Sequence, residues 1–222
     1  MSRISLFLRL NPINQKAKEE LYEHLVTLSR VTQDTEPGVL RYSYATAYDP
    51  EDELIYMIEE YASQEAANDH MKTKEYSALV KWIGTGALGA GPAIQRMVPA
   101  DPLINNFVRP QIALQQSNVA LIYTEVIYHP GKAATVLEHW KAVAKVSEDQ
   151  ELGTLLWGAW KDPGQDDRVF IVHAYESLEY LFEEHVNSRA MKNFRALGDE
   201  YIKEMNVLKL KVEGGFLYKK FE

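Results

Sequence analysis

The sequence contains no cysteine among its 222 residues. The absence of thiols excludes disulfides, cysteine-ligated metal or iron–sulfur sites and thiol nucleophiles, and it is typical of a reducing compartment. Positive charge is also scarce: 24 Lys and Arg residues stand against 32 Asp and Glu residues, which gives a formal net charge of −8. Because nucleic acids and anionic membranes are bound by clusters of Lys and Arg, we expect neither as a partner.

Long hydrophobic runs are missing as well. No apolar run approaches the roughly 18 residues that a transmembrane helix needs. The N-terminus carries Ser5 and Arg9 and is followed by Asn11-Pro12, so it does not resemble a signal peptide. With 46% hydrophobic and 25% charged residues, the composition is that of a globular protein. We therefore expect a soluble, cytoplasmic protein.

The most informative feature that is present is a long internal repeat. Four elements of the first copy recur 113 to 115 residues later: Glu36-Pro37-Gly38 as Glu151-Leu152-Gly153, Asp49-Pro50 as Asp162-Pro163, residues 61–66 as residues 175–180, and His70 as His185. Solenoid units are only about 20–50 residues long, so this period indicates a duplicated domain. A domain that ordinarily pairs with a second copy then carries its partner on the same chain.

Hydrophobic alternation and turn residues predict the same secondary structure in both copies. In the first copy the predicted elements are a strand at Ile4–Leu10, a helix capped by Asn11 and running through Leu28, strands at Val39–Ala47 and Leu54–Tyr61, a helix from Ser63 to about Trp82, and a weaker strand at Ile94–Val98. In the second copy they are a strand at Val119–Tyr128, a helix around Val136–Val143, strands at Thr154–Trp160 and Val169–Tyr175, a helix from Ser177 to about Met205, and a strand at Leu208–Val212.

Each copy therefore follows the β-α-β-β-α-β order of a ferredoxin-like α+β fold, with two helices on one face of a four-stranded antiparallel sheet. We place the first repeat at residues 1–100, a linker that includes Phe107–Leu114 at residues 101–117, and the second repeat at residues 118–222. The other sheet face is expected to carry Leu6, Tyr42, Tyr44 and Tyr56. Such residues are not left in water, so we expect the two repeats to pack sheet to sheet. Exposed sheet edges further predict that two chains can associate as a homodimer.

The repeated residues resemble the antibiotic biosynthesis monooxygenase family of the dimeric α/β-barrel superfamily. The first copy carries Glu36-Pro37-Gly38, Tyr42, Tyr61, Ser63, Glu65-Ala66, His70, Thr73 and Tyr76, and the second carries Gly153, Tyr175, Ser177, Glu179, His185, Ser188 and Phe194. The resemblance implies an intramolecular dimeric α/β barrel. It also implies cofactor-independent oxygenation, with molecular oxygen, of a polycyclic phenol, an anthrone or a lipid-derived acid. Two alternatives stay open: a non-catalytic binding protein for a lipophilic metabolite, and an oxygen-independent isomerase or cyclase.

Such a reaction needs a base near an acidic substrate proton, and histidine suits that role because its ordinary pKa is about 6.5. The catalytic candidates are His70 with Asn68 and Tyr76 in the first copy, and His185 and His173 in the second. The position equivalent to His173 in the first copy is Glu59. The structural alternatives are a partly exposed helical His70, and His173 and Glu59 that both point to solvent.

An apolar substrate also needs an apolar pocket. The candidates for substrate binding are the aromatic residues Tyr42, Tyr44, Tyr56, Trp157, Phe182 and Phe194. Aromatic side chains at such positions more often belong to the hydrophobic core, and this alternative is kept open.

We expect no cofactor and no metal, for three reasons. Residues 84–89 match G-x-G-x-x-G, but they follow a helix instead of a strand, which favours a flexible loop or a pocket lid. No pair of histidines has the spacing of a metal site. Haem-degrading relatives place a histidine late in the second helix, where this chain has Val80 and Gly198.

Overall fold

The structure, a computed structural model, describes residues 3–100, 106–114 and 119–219. The chain divides into two compact units. Unit 1 contains the described residues up to 96 together with residues 212–219, and unit 2 contains the described residues from 97 to 211. No helix in the described part of the chain is long and apolar enough to cross a membrane.

Unit 1 contains one complete ferredoxin-like repeat. Its elements are β1 (Ile4–Leu10), α1 (Gln15–Thr35), β2 (Val39–Ala47), β3 (Ile55–Tyr61), α2 (Gln64–His70), α3 (Lys74–Trp82) and the first four residues of β4 (Ala93–Pro99). The strand order is β4-β1-β3-β2, and β3 pairs antiparallel with both β1 and β2. The predicted fourth strand is thereby confirmed, whereas the predicted second helix is divided into α2 and α3.

Local capping explains where the helices of unit 1 begin. Helix α1 is capped by Asn14, whose Oδ1 accepts the Ala17 N–H at 2.9 Å, so the predicted cap at Asn11 was wrong by three residues. The predicted cap of α2 is confirmed, because Ser63 Oγ accepts the Ala66 N–H at 3.2 Å. Thr73 then caps α3 in the same way and restarts the helix after the break.

The glycine-rich segment at residues 84–89 forms the end of the second helix. Residues Ile83–Ala87 make a π-helical turn in which Gly86 has a φ of 85°. The Ala87 carbonyl accepts the Ile13 N–H at 3.1 Å, and the Gly89 N–H donates to the Asn11 carbonyl at 2.8 Å. These bonds tie the segment to the turn that precedes α1, so the prediction of a flexible loop does not describe it.

Unit 2 contains the second repeat and part of the connecting segment. Its elements are β5 (Phe107–Val108), β6 (Ala120–Tyr128), α4 (Ala133–Gln150), β7 (Thr154–Asp162), β8 (Gln165–Tyr175), α5 (Leu178–Glu183), α6 (Arg189–Arg195) and most of β9 (Ile202–Phe216). The order β9-β6-β8-β7 matches the order in unit 1. Strand β9 begins at Ile202, so the prediction of a helix as far as Met205 was wrong. The α+β class with two ferredoxin-like repeats is confirmed, and the sheet-to-sheet barrel stays a prediction.

The connecting segment is partly structured. Strand β5 pairs antiparallel with β7, and a short 3-10 helix follows at Pro110–Leu114. The end of β4 also pairs with β7, through Val98 and Pro99. Residues 101–105 and 115–118 of the predicted linker lie outside the described residues.

The sequence predicted four residues on the sheet face of unit 1 that points away from the helices, and for three of them this prediction was wrong. Tyr42 and Tyr44 belong to the core that includes Leu21 and Leu25 of α1, and Leu6 packs against the same core. Of the four, Tyr56 alone lies on the opposite face. That face is nevertheless buried, since Phe7 is 0% exposed and Ile58 is 2% exposed.

The C-terminal residues of the chain complete unit 1. Strand β9 is the sheet neighbour of β2 there. The Gly214 carbonyl accepts the Ser43 hydroxyl at 3.1 Å, and the Leu217 carbonyl accepts Arg41 Nε–H at 3.1 Å. Gly215 has a φ of 82°, a conformation that L side chains rarely adopt.

We predict that Gly215→Ala lowers the free energy of unfolding by about 2–4 kcal/mol. The added methyl group is strained by the positive φ and would collide with the backbone of Tyr42 and Ser43. Gly91→Ala is the matched control, because a methyl group there meets nothing within 4 Å. Urea unfolding of the two variants makes the comparison, and equal stability would contradict the strain.

Candidate active site

Each unit contains a buried histidine paired with a glutamate that is the C-cap residue of the long helix. In unit 1, Glu36 ends α1 and its Oε2 lies 2.9 Å from Nδ1 of His70. In unit 2, Glu151 ends α4 and its Oε2 lies 2.6 Å from Nδ1 of His185. Both histidines are 1% exposed, and 34 residues separate the partners in each pair.

Hydroxyl groups from the last helical turn, and in unit 2 also from the start of β7, donate to the carboxylates. Thr32 donates to Glu36 Oε1 at 3.0 Å, and Ser147 and Thr154 donate to Glu151 Oε2 at 2.9 Å each. Burial alone would raise the pKa of both glutamates, but the hydrogen bonds and the charge of the histidines outweigh it, so both pKa values are lowered. The glutamates are therefore carboxylates that accept a hydrogen bond from Nδ1–H.

This arrangement leaves one imidazole nitrogen of each pair open. In the neutral ring, a carboxylate on Nδ1 fixes the tautomer and orientation, and it places the lone pair on Nε2. Among the described residues, Nε2 of His70 and Nε2 of His185 have no hydrogen-bond partner although both atoms are buried. The ring nitrogen that can take up a proton thus faces the protein interior.

In unit 1 the imidazole lies near a second carboxylate and among tyrosine rings. Glu59 on β3 is buried and accepts the Tyr61 hydroxyl at 2.7 Å. Burial raises the pKa of Glu59, and the positive charge of His70 opposes that shift. The rings of Tyr42, Tyr61 and Tyr76 lie 5.5, 5.7 and 5.4 Å from the ring of His70. Predicted residues His70, Tyr42 and Tyr76 therefore come together.

In unit 2 a second histidine takes the place of Glu59. His173 on β8 is buried, its Nδ1 lies 2.8 Å from the Tyr175 hydroxyl, and its ring meets the ring of His185 edge-on at 5.9 Å. Burial, and next the charge of His185, lower the pKa of His173 well below 6.5. His173 is consequently neutral near pH 7, and its Nε2 has no partner among the described residues. Predicted residues His173 and His185 thus form one site with Glu151.

Three predicted residues of unit 1 lie elsewhere. Asn68 is exposed on α2, where its Oδ1 accepts the Gln64 amide at 2.8 Å. Tyr44 packs against the ring of Tyr22 at 5.8 Å. Tyr56 lies on the sheet face opposite His70, and its hydroxyl donates to Asp52 at 2.6 Å. These positions give Asn68, Tyr44 and Tyr56 no described contact with His70.

The three aromatic candidates of unit 2 differ in their relation to the site. Trp157 is the β7 residue paired with His173 in the register, so it borders the site. Phe194 lies one layer further away, against the ring of Trp140 at 4.0 Å. Phe182 is 49% exposed and lies beneath the ammonium group of Lys209 at 5.5 Å, away from the pair.

Each glutamate also borders a surface cleft at the end of its long helix. The cleft beside Glu36 has a volume of about 340 Å³ and is lined by Gly38 and Asp69 among others. The cleft beside Glu151 has a volume of about 460 Å³ and is lined by Tyr180 and Arg189 among others. Within the described ranges, no group of three or more His, Asp or Glu residues is placed to hold a metal ion.

The candidate site residues that sequence reasoning missed are Glu36 and Glu151. Both stand in the repeated motif, where they marked the resemblance but received no role. The available signal was the conserved spacing within the chain: each glutamate precedes its histidine by 34 residues. A spacing that survives duplication points to two side chains that act together.

Comparison with known proteins identifies the same two repeats in the chain. The sequence model of the antibiotic biosynthesis monooxygenase family matches residues 6–82 and, a second time, residues 121–197. The chain belongs to this family. Each match of the antibiotic biosynthesis monooxygenase family contains one complete pair, Glu36 with His70 and Glu151 with His185.

Solved structures share the fold of this family member over nearly its whole length. A candidate monooxygenase from Lactobacillus acidophilus NCFM has 15% sequence identity and a TM-score of 0.82, with 96% of this chain and 95% of that chain covered. A candidate monooxygenase from Fusobacterium nucleatum has 18% identity and a TM-score of 0.78, with 99% of each chain covered. An anthrone oxidase-like protein has 9% identity and a TM-score of 0.59, with 96% of this chain and 92% of that chain covered. No curated protein matches the chain.

We predict that His173 makes the stability of the chain depend on pH. The unfolded chain protonates His173 near pH 6.5, whereas the lowered pKa keeps it neutral in the folded chain. Its stabilising contribution is therefore present above pH 6.5 and is lost as the pH falls below it, by about 1.4 kcal/mol in total between pH 7.5 and 5.5. His173→Gln should remove this slope from urea unfolding measured between pH 7.5 and 5.5.

Tyr175→Phe is the control for that experiment, because it removes the hydroxyl next to Nδ1 but keeps the titrating ring. The slope should persist in Tyr175→Phe. Identical slopes in the wild type and in His173→Gln would show that His173 is not held neutral.

Proposed function

We propose that the chain is a cofactor-independent monooxygenase that oxygenates a hydrophobic small molecule with molecular oxygen. The observation that carries the proposal is the buried imidazole whose Nδ1 is held by a carboxylate and whose Nε2 is open. Family membership supports the reaction class. The substrate classes that fit are a polycyclic phenol, an anthrone and a lipid-derived acid, and the name of the anthrone oxidase-like structure makes anthrones the first to test.

The chemistry asks little of the protein. Nε2 of the histidine removes a proton from the substrate, and the resulting carbanion or phenolate transfers one electron to dioxygen. The substrate radical and superoxide combine to a peroxide anion, which regains the proton from the imidazolium as a hydroperoxide. Loss of water from the hydroperoxide then leaves a carbonyl group. One atom of dioxygen is in the product and the other is in water, so no external reductant is consumed.

The site of unit 2 fits this reaction better than the site of unit 1. An anion that forms in unit 2 meets one carboxylate, Glu151, and two imidazoles. An anion that forms in unit 1 meets two carboxylic groups, Glu36 and Glu59, and one imidazole. Since the negative intermediate is stabilised by donors and repelled by carboxylates, we assign the reaction to unit 2. The first copy keeps more of the family motif, with Asn68, His70 and Tyr76, but Asn68 lies on the surface.

The two histidines of unit 2 have separate roles in this proposal. His185 is the base, because Glu151 holds the proton on its Nδ1. The Tyr175 hydroxyl lies 2.8 Å from Nδ1 of His173. We take the hydroxyl as the donor, which puts the proton of this neutral ring on Nε2. His173 is then a donor that can stabilise the peroxide or phenolate oxygen. Trp157 supplies an apolar wall beside it.

We predict oxygen uptake by the purified protein with anthrones or naphthols and without added flavin, haem or metal. His185→Gln should lower turnover about 100-fold or more, because general base catalysis typically contributes 10²–10⁴-fold. His70→Gln removes the equivalent pair in unit 1 and should cause a smaller loss. An oxygen electrode measures the rates, mass spectrometry with ¹⁸O₂ follows the product, and circular dichroism confirms that both variants are folded.

Three outcomes would contradict the proposal. Ligands that raise the melting temperature without any oxygen uptake would favour a binding protein. Turnover at the same rate without oxygen would favour an isomerase or a cyclase. A larger loss in His70→Gln than in His185→Gln would move the reaction to unit 1.

A further inference from the structure

Each glutamate–histidine pair is accompanied by a cation from outside the two family-matched segments. Arg109, in the connecting segment, donates to the carbonyls of Thr154, Ser147 and Glu148 at 3.0, 3.2 and 2.6 Å. Lys219, close to the end of the chain, donates to the carbonyls of Thr32 and Glu36 at 2.9 and 2.8 Å. Thr32 and Ser147 are equivalent positions of the two repeats. Two unrelated segments of the chain therefore place a cation on equivalent helix carbonyls.

The physical need for such a cation follows from the position of the glutamates. The last carbonyls of a helix lack intrahelical partners, and the C-terminus carries a partial negative charge. A buried carboxylate at the C-cap adds to that charge and is disfavoured there. A cation bonded to the same carbonyls offsets the negative charge and fixes the backbone of the residue that carries the carboxylate.

The two cations are not equivalent. The guanidinium group of Arg109 spans both sides of the turn, since it bonds α4 through Ser147 and Glu148 and the start of β7 through Thr154. Lys219 is a single ammonium group whose pKa is lowered by burial, and it bonds only the end of α1. The more rigid device therefore belongs to the unit to which we assign the reaction.

We infer that Arg109 is a positioning residue for the Glu151–His185 pair: it holds the end of α4 so that Glu151 keeps the proton on Nδ1 of His185. Lys219 serves the Glu36–His70 pair in the same way. The inference rests on the proposed function only where it concerns turnover. The geometry of the pair is a property of the resting protein, independent of oxygen and substrate.

The test is the tautomer of each histidine, read from long-range ¹H–¹⁵N spectra at pH 7.5 without substrate. In the wild type, His185 should be the single Nδ1–H form. Arg109→Met should give a mixture of tautomers at His185, with His70 unchanged. Lys219→Met is the matched variant in the other repeat, and it should change His70 and leave His185 as it was.

Arg109→Lys keeps the charge but loses the three-way fork, so it should be folded and show a smaller change at His185 than Arg109→Met. In oxygen uptake, both Arg109 variants should lower kcat with little change in KM. A wild-type tautomer at His185 in Arg109→Met, or in Arg109→Lys if the former does not fold, would overturn the inference. If the tautomers change as predicted in a protein that consumes no oxygen, the positioning role of Arg109 is supported and the proposed monooxygenase reaction is rejected.

Discussion

The fold of each repeat is organised around a charge in an unfavourable place. A carboxylate at the C-terminal end of a long helix opposes the helix dipole, and its burial adds a desolvation cost. The structure offsets both costs locally, through the hydroxyl of Thr32 or Ser147, the imidazole of His70 or His185, and the cation at the helix carbonyls. In each unit, the end of the long helix, the segment that carries the histidine and the segment that carries the cation meet at one carboxylate. Their contacts fix the orientation of the imidazole ring.

Duplication has kept that carboxylate–imidazole pair and changed what lies opposite. Glu59 and His173 occupy equivalent strand positions and are each next to a tyrosine, Tyr61 or Tyr175. A neutral histidine where the other repeat has a carboxyl group removes an acidic group from this buried position without any change in the fold. The two repeats thus share one scaffold and one glutamate–histidine pair but differ in the ionisable group beside it.

The division into repeats, the strand order and the caps at Ser63 and Ser177 could be predicted from the sequence, because alternation and capping are local signals. The face of Tyr42 could not, since alternation shows which residues share a face but not which face meets the helices. Asn14 is the cap of α1. The sequence could not distinguish it from Asn11, because asparagine is a good cap at either position. His70 and His173 were found as candidates by residue type. Their burial, and the part played by Glu36 and Glu151, depend on contacts between residues far apart in the chain.

One feature of unit 1 bears on how the protein is made. The hydrogen bonds from Ser43 to Gly214, from Arg41 to Leu217 and from Lys219 to Glu36 join residues separated by 171, 176 and 183 positions. Contacts of such sequence separation form late, because the entropy of closing the intervening chain is lost before they stabilise anything. The first repeat therefore leaves the ribosome before the residues that finish its sheet have been synthesised. Its edge strand β2 stays unpaired on one side throughout translation of the second repeat. Unit 1 is therefore begun first and completed last, because its final residues follow those of unit 2 in the chain.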